Sequence, residues 1–187
     1  MNRLLVLVIT LSSVFFVGCA SMGGSSVNEQ RQSILTMKNE TLQKLYKLKP
    51  DVKSQISKSV GYAVFSNANI NLLLASFGGG YGVVHNNSNG QNTYMKMGEV
   101  GVGLGLGAKD FRIIFVFHSK SAMDRFVNKG WAFGGQADAA AKAGSKGAAV
   151  GGELTVDNMT IYQITETGLA LQATVKGTKF WKDSDLN

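Results

Sequence analysis

Few side chains in this 187-residue chain could do covalent chemistry. It has one cysteine, Cys19, two histidines, His85 and His118, and 12 carboxylates against 19 lysines and arginines. His118-Ser119 looks like half of a hydrolase pair. Adjacent residues at a strand end point apart, so imidazole and hydroxyl would not meet as base and nucleophile. No GxSxG elbow occurs either. Asp110, Asp124, Asp138, Glu153 and Asp157 lack the paired spacing of general acid–base work. Neither histidine has a cysteine or paired carboxylate beside it, which argues against a metal site. The run Gly78-Gly79-Gly80-Tyr81-Gly82 and the alternating glycines near 103 lack the following helix and acidic residue of a dinucleotide fingerprint. Gly144-Ser145-Lys146 only echoes the end of a phosphate loop. No cofactor and no enzymatic activity are expected. What remains is positive charge. Between Arg31 and Lys58 the bases are Arg31, Lys38, Lys44, Lys47, Lys49, Lys53 and Lys58, against Glu40 and Asp51, a balance of 7 − 2 = +5.

The elements that would position these bases can be read from periodicity. Asn28 to Lys49 reads as a helix stopped by Pro50. Ile34, Leu35, Met37, Leu42, Leu45, Tyr46 and Leu48 cover roughly half its circumference at about 100° per residue. Lys38 and Lys49 fall inside that arc, where long side chains can carry their charges outward. Asp51 to Lys58 reads as a second short helix. From Gly61 the pattern turns to strands: Tyr62–Phe65, Ile70–Phe77, Gly78–His85, Thr93–Ala108 and Arg112–His118. Asn89-Gly90 supplies the hairpin signal. Ser119–Asn128 reads as a helix with Ser119 or Ser121 near its cap. Short strands over Trp131–Ala143, Gly147–Val156, Met159–Thr165 and Gly168–Val175 complete the set. Gly101, Gly103, Gly105 and Gly107 alternate with apolar residues, giving one bare strand face. Such a face permits tight packing or sharp curvature, and equally a ligand lying against it.

The composition fits one domain: 44% of residues are hydrophobic and the formal charge is +7. With mean hydropathy near zero, this excludes an acidic disordered chain and a multi-span membrane protein. The predicted fold class is α+β, with an N-terminal helical arm, a glycine-rich, strongly curved antiparallel sheet or barrel, and one further helix.

The first residues read as an address. Arg3 precedes an apolar run from Leu4 to Val17, too short for a bilayer span of roughly 20 residues. Phe16-Val17-Gly18-Cys19 resembles the lipobox of bacterial lipoproteins, with Phe16 in place of the usual leucine. The resemblance implies cleavage after Gly18 and a lipidated Cys19; the other use of Cys19 is a free exported thiol. The organisation expected is a signal peptide over 1–18, a lipidated Cys and tether over 19–27, and one domain over 28–187. The exported chain would have 187 − 18 = 169 residues and a charge of 18 − 12 = +6. Ala20 after the cysteine, by resemblance to Gram-negative lipoproteins, implies the outer membrane and its periplasmic face.

Ser59–Phe65, Phe77–Val84, Gly98–Asp110 with Ile113–Phe117, Ser121–Phe126, Gly130–Gly134, Tyr162–Ala170 and Gly177–Lys179, in this order and spacing, resemble the SYLF lipid-binding domain. The resemblance spans about residues 30–182. It implies an anionic lipid ligand and a bacterial lipoprotein branch. Eukaryotic members act with actin-organising partners, a role that does not transfer to an exported protein. Their lipid binding is associated with a basic N-terminal segment, which corresponds to Arg31–Lys58 here.

On physical grounds a basic amphipathic helix can lie in the membrane interface with its lysines on phosphates. Each lysine near an anionic surface contributes about 1 kcal/mol. Lys44, Lys47, Lys49, Lys53 and Lys58 are the candidate lipid-binding residues. The competing use of the same helix is to pack its apolar arc on the β body and show solvent a basic back. Trp131, Phe133, Phe180 and Trp181 are either core or, for Phe180-Trp181 between Lys179 and Lys182, an interfacial anchor. A pI near 9.5 invites nucleic acid, but export removes that partner. The expected partner is an anionic phospholipid membrane. The alternative is a structural lipoprotein of the envelope whose lipid contact is its anchor alone.

Overall fold

The computed structural model describes residues 26–73, 75–101, 105–132, 153–165, 168–169 and 178–187. Cys19, Phe133 and most of the stretches expected as strands over 133–152 and 170–175 lie outside them. Helix α1 spans Val27–Leu48. It starts a residue earlier than expected because Ser26 and Glu29 form a capping box. Glu29 N–H donates to Ser26 Oγ at 3.2 Å, and Ser26 N–H to Glu29 Oε2 at 2.7 Å, satisfying two orphan donors of the first turn. Helix α2, Val52–Lys58, follows the Pro50 break.

The strands are β1 (Gly61–Leu73), β2 (Ala75–Asn86), β3 (Asn92–Gly101), β4 (Gly105–Phe117), β5 (Trp131–Ala132), β6 (Glu153–Val156), β7 (Met159–Thr165), β8 (Gly168–Leu169) and β9 (Thr178–Lys182); α3 (Lys120–Lys129) lies between β4 and β5. Two expected strands are divided. Ile70–Phe77 belongs partly to β1 and partly to β2, which pair as a hairpin through Leu72 and Ala75. Thr93–Ala108 ends β3 at Gly101, opposite Ser76, and begins β4 at Gly105, opposite Leu73. A single strand through either run would have outlasted its partners. At Asn89-Gly90 the expected hairpin forms with Gly90 at φ +72°. Asp157 and Asn158, at φ 54° and 59°, turn β6 into β7, and a type I′ turn requires positive φ at both positions.

All pairings are antiparallel, and the nine strands run β5-β9-β3-β2-β1-β4-β7-β6, with β8 on β7. The sheet is curled into a half-barrel, and aromatic distances show which way. β1 and β9 are three strand steps apart, about 14 Å in a flat sheet, yet the Phe65 and Phe180 rings are 4.7 Å apart. Phe115 on β4, one step further, is 5.1 Å from Phe180. That face is therefore concave. It is filled by Phe65, Phe115, Phe117, Phe180, Trp131 and by Phe126 of α3. Ser119 caps α3, its Oγ accepting from Ala122 N–H at 3.2 Å.

Bare backbone on β2 permits this curl. Gly80 and Gly82 point inward; an added Cβ at Gly82 would overlap the Phe65 ring, and one at Gly80 would overlap the Ser66 carbonyl. Across the same gap Asn67 on β1 reaches buried Glu99 on β3, Nδ2 to Oε2 at 2.8 Å. The bare face expected on one strand over 101–107 is divided: Gly101 ends β3, Gly105 and Gly107 lie in β4, and 102–104 are outside the described residues. The convex face carries a second core, in which Ile34, Met37, Leu42 and Leu45 of α1 and Val52 and Ile56 of α2 cover Val64, Val83, Ile114 and Tyr162.

Candidate functional site

The packing of α1 decides what its bases can do. Ile34, Met37, Leu42 and Leu45 of its apolar arc are buried against the sheet, so those side chains are not available to insert into a bilayer. Interfacial burial of the arc, one of the two expected uses, does not hold; the outward basic back does. Among the described residues, no helix is long and apolar enough to cross a membrane.

Lys44 and Lys47 lie three residues apart on that back and are exposed, as are Lys53 and Lys58 on α2. Residues three apart on a helix are surface neighbours. Lys44 Nζ donates a long bond, 3.4 Å, to the Thr165 carbonyl. Lys47, Lys53 and Lys58 make no ion pair among the described residues. Lys49 differs. Its ammonium sits 3.2 Å from Glu153 Oε2 and 3.3 Å from Asp51 Oδ2, and the hydrogen bond to Glu153 leads the effects that raise its pKa. Of the five candidate lysines it is the one whose charge is already neutralised, and it ties α1 to β6. Lys38, inside the apolar arc, is half-buried, and desolvation lowers its pKa. Leu48, between Lys47 and Lys49, is 44% exposed and adds an apolar contact to the basic back.

Most of the other singled-out residues are bound within the fold. His118 Nε2 is 2.7 Å from Thr160 Oγ1, in a polar chain that continues through Gln55 to Tyr162. Thr160 is buried, so this histidine–hydroxyl pair presents no nucleophile to a substrate. Trp131 and Phe180 are core, while Trp181 is 39% exposed; strand alternation separates the Phe180-Trp181 pair. Among the described residues no group of three His, Cys, Asp or Glu side chains is arranged to hold a metal ion.

A groove that the sequence did not reveal lies at the opposite end of α1. Its volume is about 610 Å³, and it is walled by Tyr81, Trp181, Lys96 and Asp183 under Ser33 and Ile34. Its C-terminal border is clasped in place: Arg31 Nε donates to the Leu186 carbonyl at 2.9 Å, and Tyr94 N–H to Asn187 Oδ1 at 2.9 Å. Tyr81, Lys96 and Trp181 are far apart in sequence, and only strand register aligns them.

The sequence also matches known proteins. Residues 98–187 match the Ysc84 family model, described as "Las17-binding protein actin regulator". Beta cell expansion factor A of Aeromonas veronii is 36% identical over 164 residues, covering 86% of this chain and 60% of that protein. The chain thus spans about 60% of the length of the curated relative it matches. The SYLF domain family is known for lipid binding. Residues 98–187 thus carry a Ysc84 (SYLF) domain match, and the chain has a SYLF family member as a relative, in keeping with the order of its glycine-aromatic motifs.

Proposed function

We propose that this chain is an exported lipoprotein that binds anionic phospholipid and catalyses no reaction. One observation carries the reading: α1 spends its apolar face on the sheet and leaves Lys44 and Lys47, with Lys53 and Lys58 on α2, exposed. A basic surface of this kind attracts lipid phosphates without helix insertion, at about 1 kcal/mol per cation near the surface. Lys49 contributes to holding the arm rather than to gripping head groups. Acyl chains on Cys19 supply the second of the two signals that stable membrane attachment needs, at the periplasmic face of the outer membrane.

The experiment is vesicle flotation with residues 20–187, which contain every described element and lack Cys19. Binding to phosphatidylglycerol vesicles but not to phosphatidylcholine vesicles is expected at low salt. No binding to either would leave attachment to Cys19 alone and favour an anchored structural protein of the envelope.

A further inference from the structure

A second groove, of about 520 Å³, adjoins the one beside Trp181 and shares Ser33 and Tyr81 with it. It opens between α1 and the convex face of the sheet. Strand register sets its floor. Tyr81 of β2 pairs with Ser66 of β1, and Ser66 with Arg112 of β4. Val64 and Ile114, two residues from Ser66 and Arg112, belong to the convex core, so Ser66 and Arg112 point to the same side. Tyr81 and Arg112 are thus about 10 Å apart, two strand steps, with only the short Ser66 side chain between them. The wall is α1. Gln32, Thr36 and Glu40 line it at four-residue spacing, which makes them one row along the helix, with Ser33 beside it.

Arg112 is half-buried and, among the described residues, forms no hydrogen bond and no ion pair. The side chains of Gln32, Ser33, Thr36, Glu40 and Tyr81 are uncommitted in the same sense. A guanidinium drawn partly out of water gives up hydration, and here no protein group repays it. Its planar fork of donors fits two oxygens of a carboxylate or phosphate at once. Charge and polarity narrow the ligand further. The charged groups lining the groove are Arg112, Glu40 and Glu29, and Glu29 is held by the α1 capping box. Lys44 lies alongside, its ammonium on the Thr165 carbonyl next to Ile164, the β7 partner of Arg112. Arg31 turns away to the Leu186 carbonyl. A dianion would meet Arg112 but also two carboxylates. A neutral polyol would leave the fork empty. A monoanion that carries hydroxyls suits both: its oxyanion takes Arg112, and its hydroxyls donate to Glu40 and exchange hydrogen bonds with Gln32, Ser33 and Thr36. The Tyr81 ring, 44% exposed, offers its carbon skeleton an apolar face. The volume is in the range of small-molecule sites.

We propose that this groove is a binding site for a small polyhydroxylated monoanion, its carboxylate or phosphodiester held bidentately by Arg112 and its hydroxyls by the polar row of α1. Two sources share this chemistry: an acidic sugar and the glycerophosphodiester head of a phospholipid. The assignment goes beyond the arm's attraction to anionic surfaces and does not rest on it.

The test titrates nitrogen-15-labelled residues 20–187 with glucuronate and with glycerophosphoglycerol, and reads backbone amide shifts. Saturable shifts at Ser33, Thr36 and Tyr81 are expected with at least one of the two, at an affinity at least tenfold above that for glucose, glycerol or inorganic phosphate. Which of the two binds more tightly tells the acidic sugar from the lipid head as the source. Arg112→Gln should weaken binding at least tenfold. Thr36→Glu, at an exposed helical position, adds a third carboxylate to the groove. It should weaken binding at least tenfold with the circular dichroism spectrum unchanged, which keeps the test decisive if Arg112→Gln does not fold. No saturable shift with either monoanion, glucose or inorganic phosphate binding as tightly as the better of them, or undiminished binding by a folded Arg112→Gln or Thr36→Glu variant would each overturn the proposal. A variant with Lys47, Lys53 and Lys58 changed to Gln should keep this binding, so failure of the arm reading and failure of the groove reading are separable.

Discussion

Replacing Lys44, Lys47 and Lys53 together by Gln tests the basic arm quantitatively. All three are exposed, and the helices that carry them are held to the sheet by other residues, so the fold should survive. Each cation near an anionic surface contributes about 1 kcal/mol at moderate ionic strength. Removing three therefore costs about 3 kcal/mol, or roughly 100-fold in partition coefficient at 1.4 kcal/mol per decade. The Debye length shrinks from about 10 Å at 0.1 M to about 3 Å at 1 M salt. The difference between wild type and variant should shrink with it. The assay is a titration of residues 20–187 with phosphatidylglycerol vesicles, and circular dichroism checks the fold. A control removes the same number of charges from α3, at Lys120, Arg125 and Lys129. That helix packs on the concave face, opposite α1. A loss under fivefold in the arm variant, or an equal loss in the α3 control, would refute the argument that the arm is the gripping surface.

Four further outcomes concern the scaffold. Ser26→Ala should lower stability by about 1 kcal/mol in urea unfolding, since it removes the hydroxyl half of the α1 capping box; an unchanged midpoint would show that the box is not stabilising. Phe180→Ala should cost about 3–5 kcal/mol, because the ring is fully buried among Phe65, Phe115 and Phe126, and a cost under 1 kcal/mol would contradict the curled core. Gly82→Ala should destabilise by about 1–3 kcal/mol through overlap with Phe65, which a neutral result would exclude. Burial raises the Tyr162 phenol pKa above its ordinary value, so the folded state holds that proton more tightly than the unfolded one. Its contribution is intact below about pH 10 and is lost as pH rises beyond that; Tyr162→Phe should flatten the alkaline limb of urea midpoint against pH, and an unchanged limb would assign the effect elsewhere.

Much of the local structure was legible because local rules dominate it. Pro50 and the periodicity before it marked α1, Ser119 marked α3, and Asn89-Gly90 marked the hairpin from β2 to β3. The division of Ile70–Phe77 between β1 and β2 was not legible, since that run carries no turn dipeptide and its pairing is set by register with β4 and β3. An apolar arc identifies a helix face but not what covers it, so α1 could be read for either bilayer or sheet until the convex core was seen. The same limit explains Lys49. Its charge and position matched its neighbours, and only the return of β6 brings Glu153 to it. Ser26 and Glu29, by contrast, carried the capping-box spacing in the sequence itself. The groove is the least legible feature: Tyr81, Lys96 and Trp181 become neighbours only through two antiparallel registers.

The most direct measurement asks which face of the protein meets the bilayer. Residues 20–187 contain no cysteine, so a single one can be placed at will and coupled to a polarity-sensitive fluorophore. Gln43→Cys puts the probe on the exposed back of α1 beside Lys44, and Ser121→Cys puts it on α3. With phosphatidylglycerol vesicles at low salt, the account predicts a blue shift at position 43, none at position 121, and reversal at high salt. A shift at 121 with none at 43, or no shift at either while the protein floats with the vesicles, would contradict the claim that the basic back of the helical arm is the lipid-facing surface.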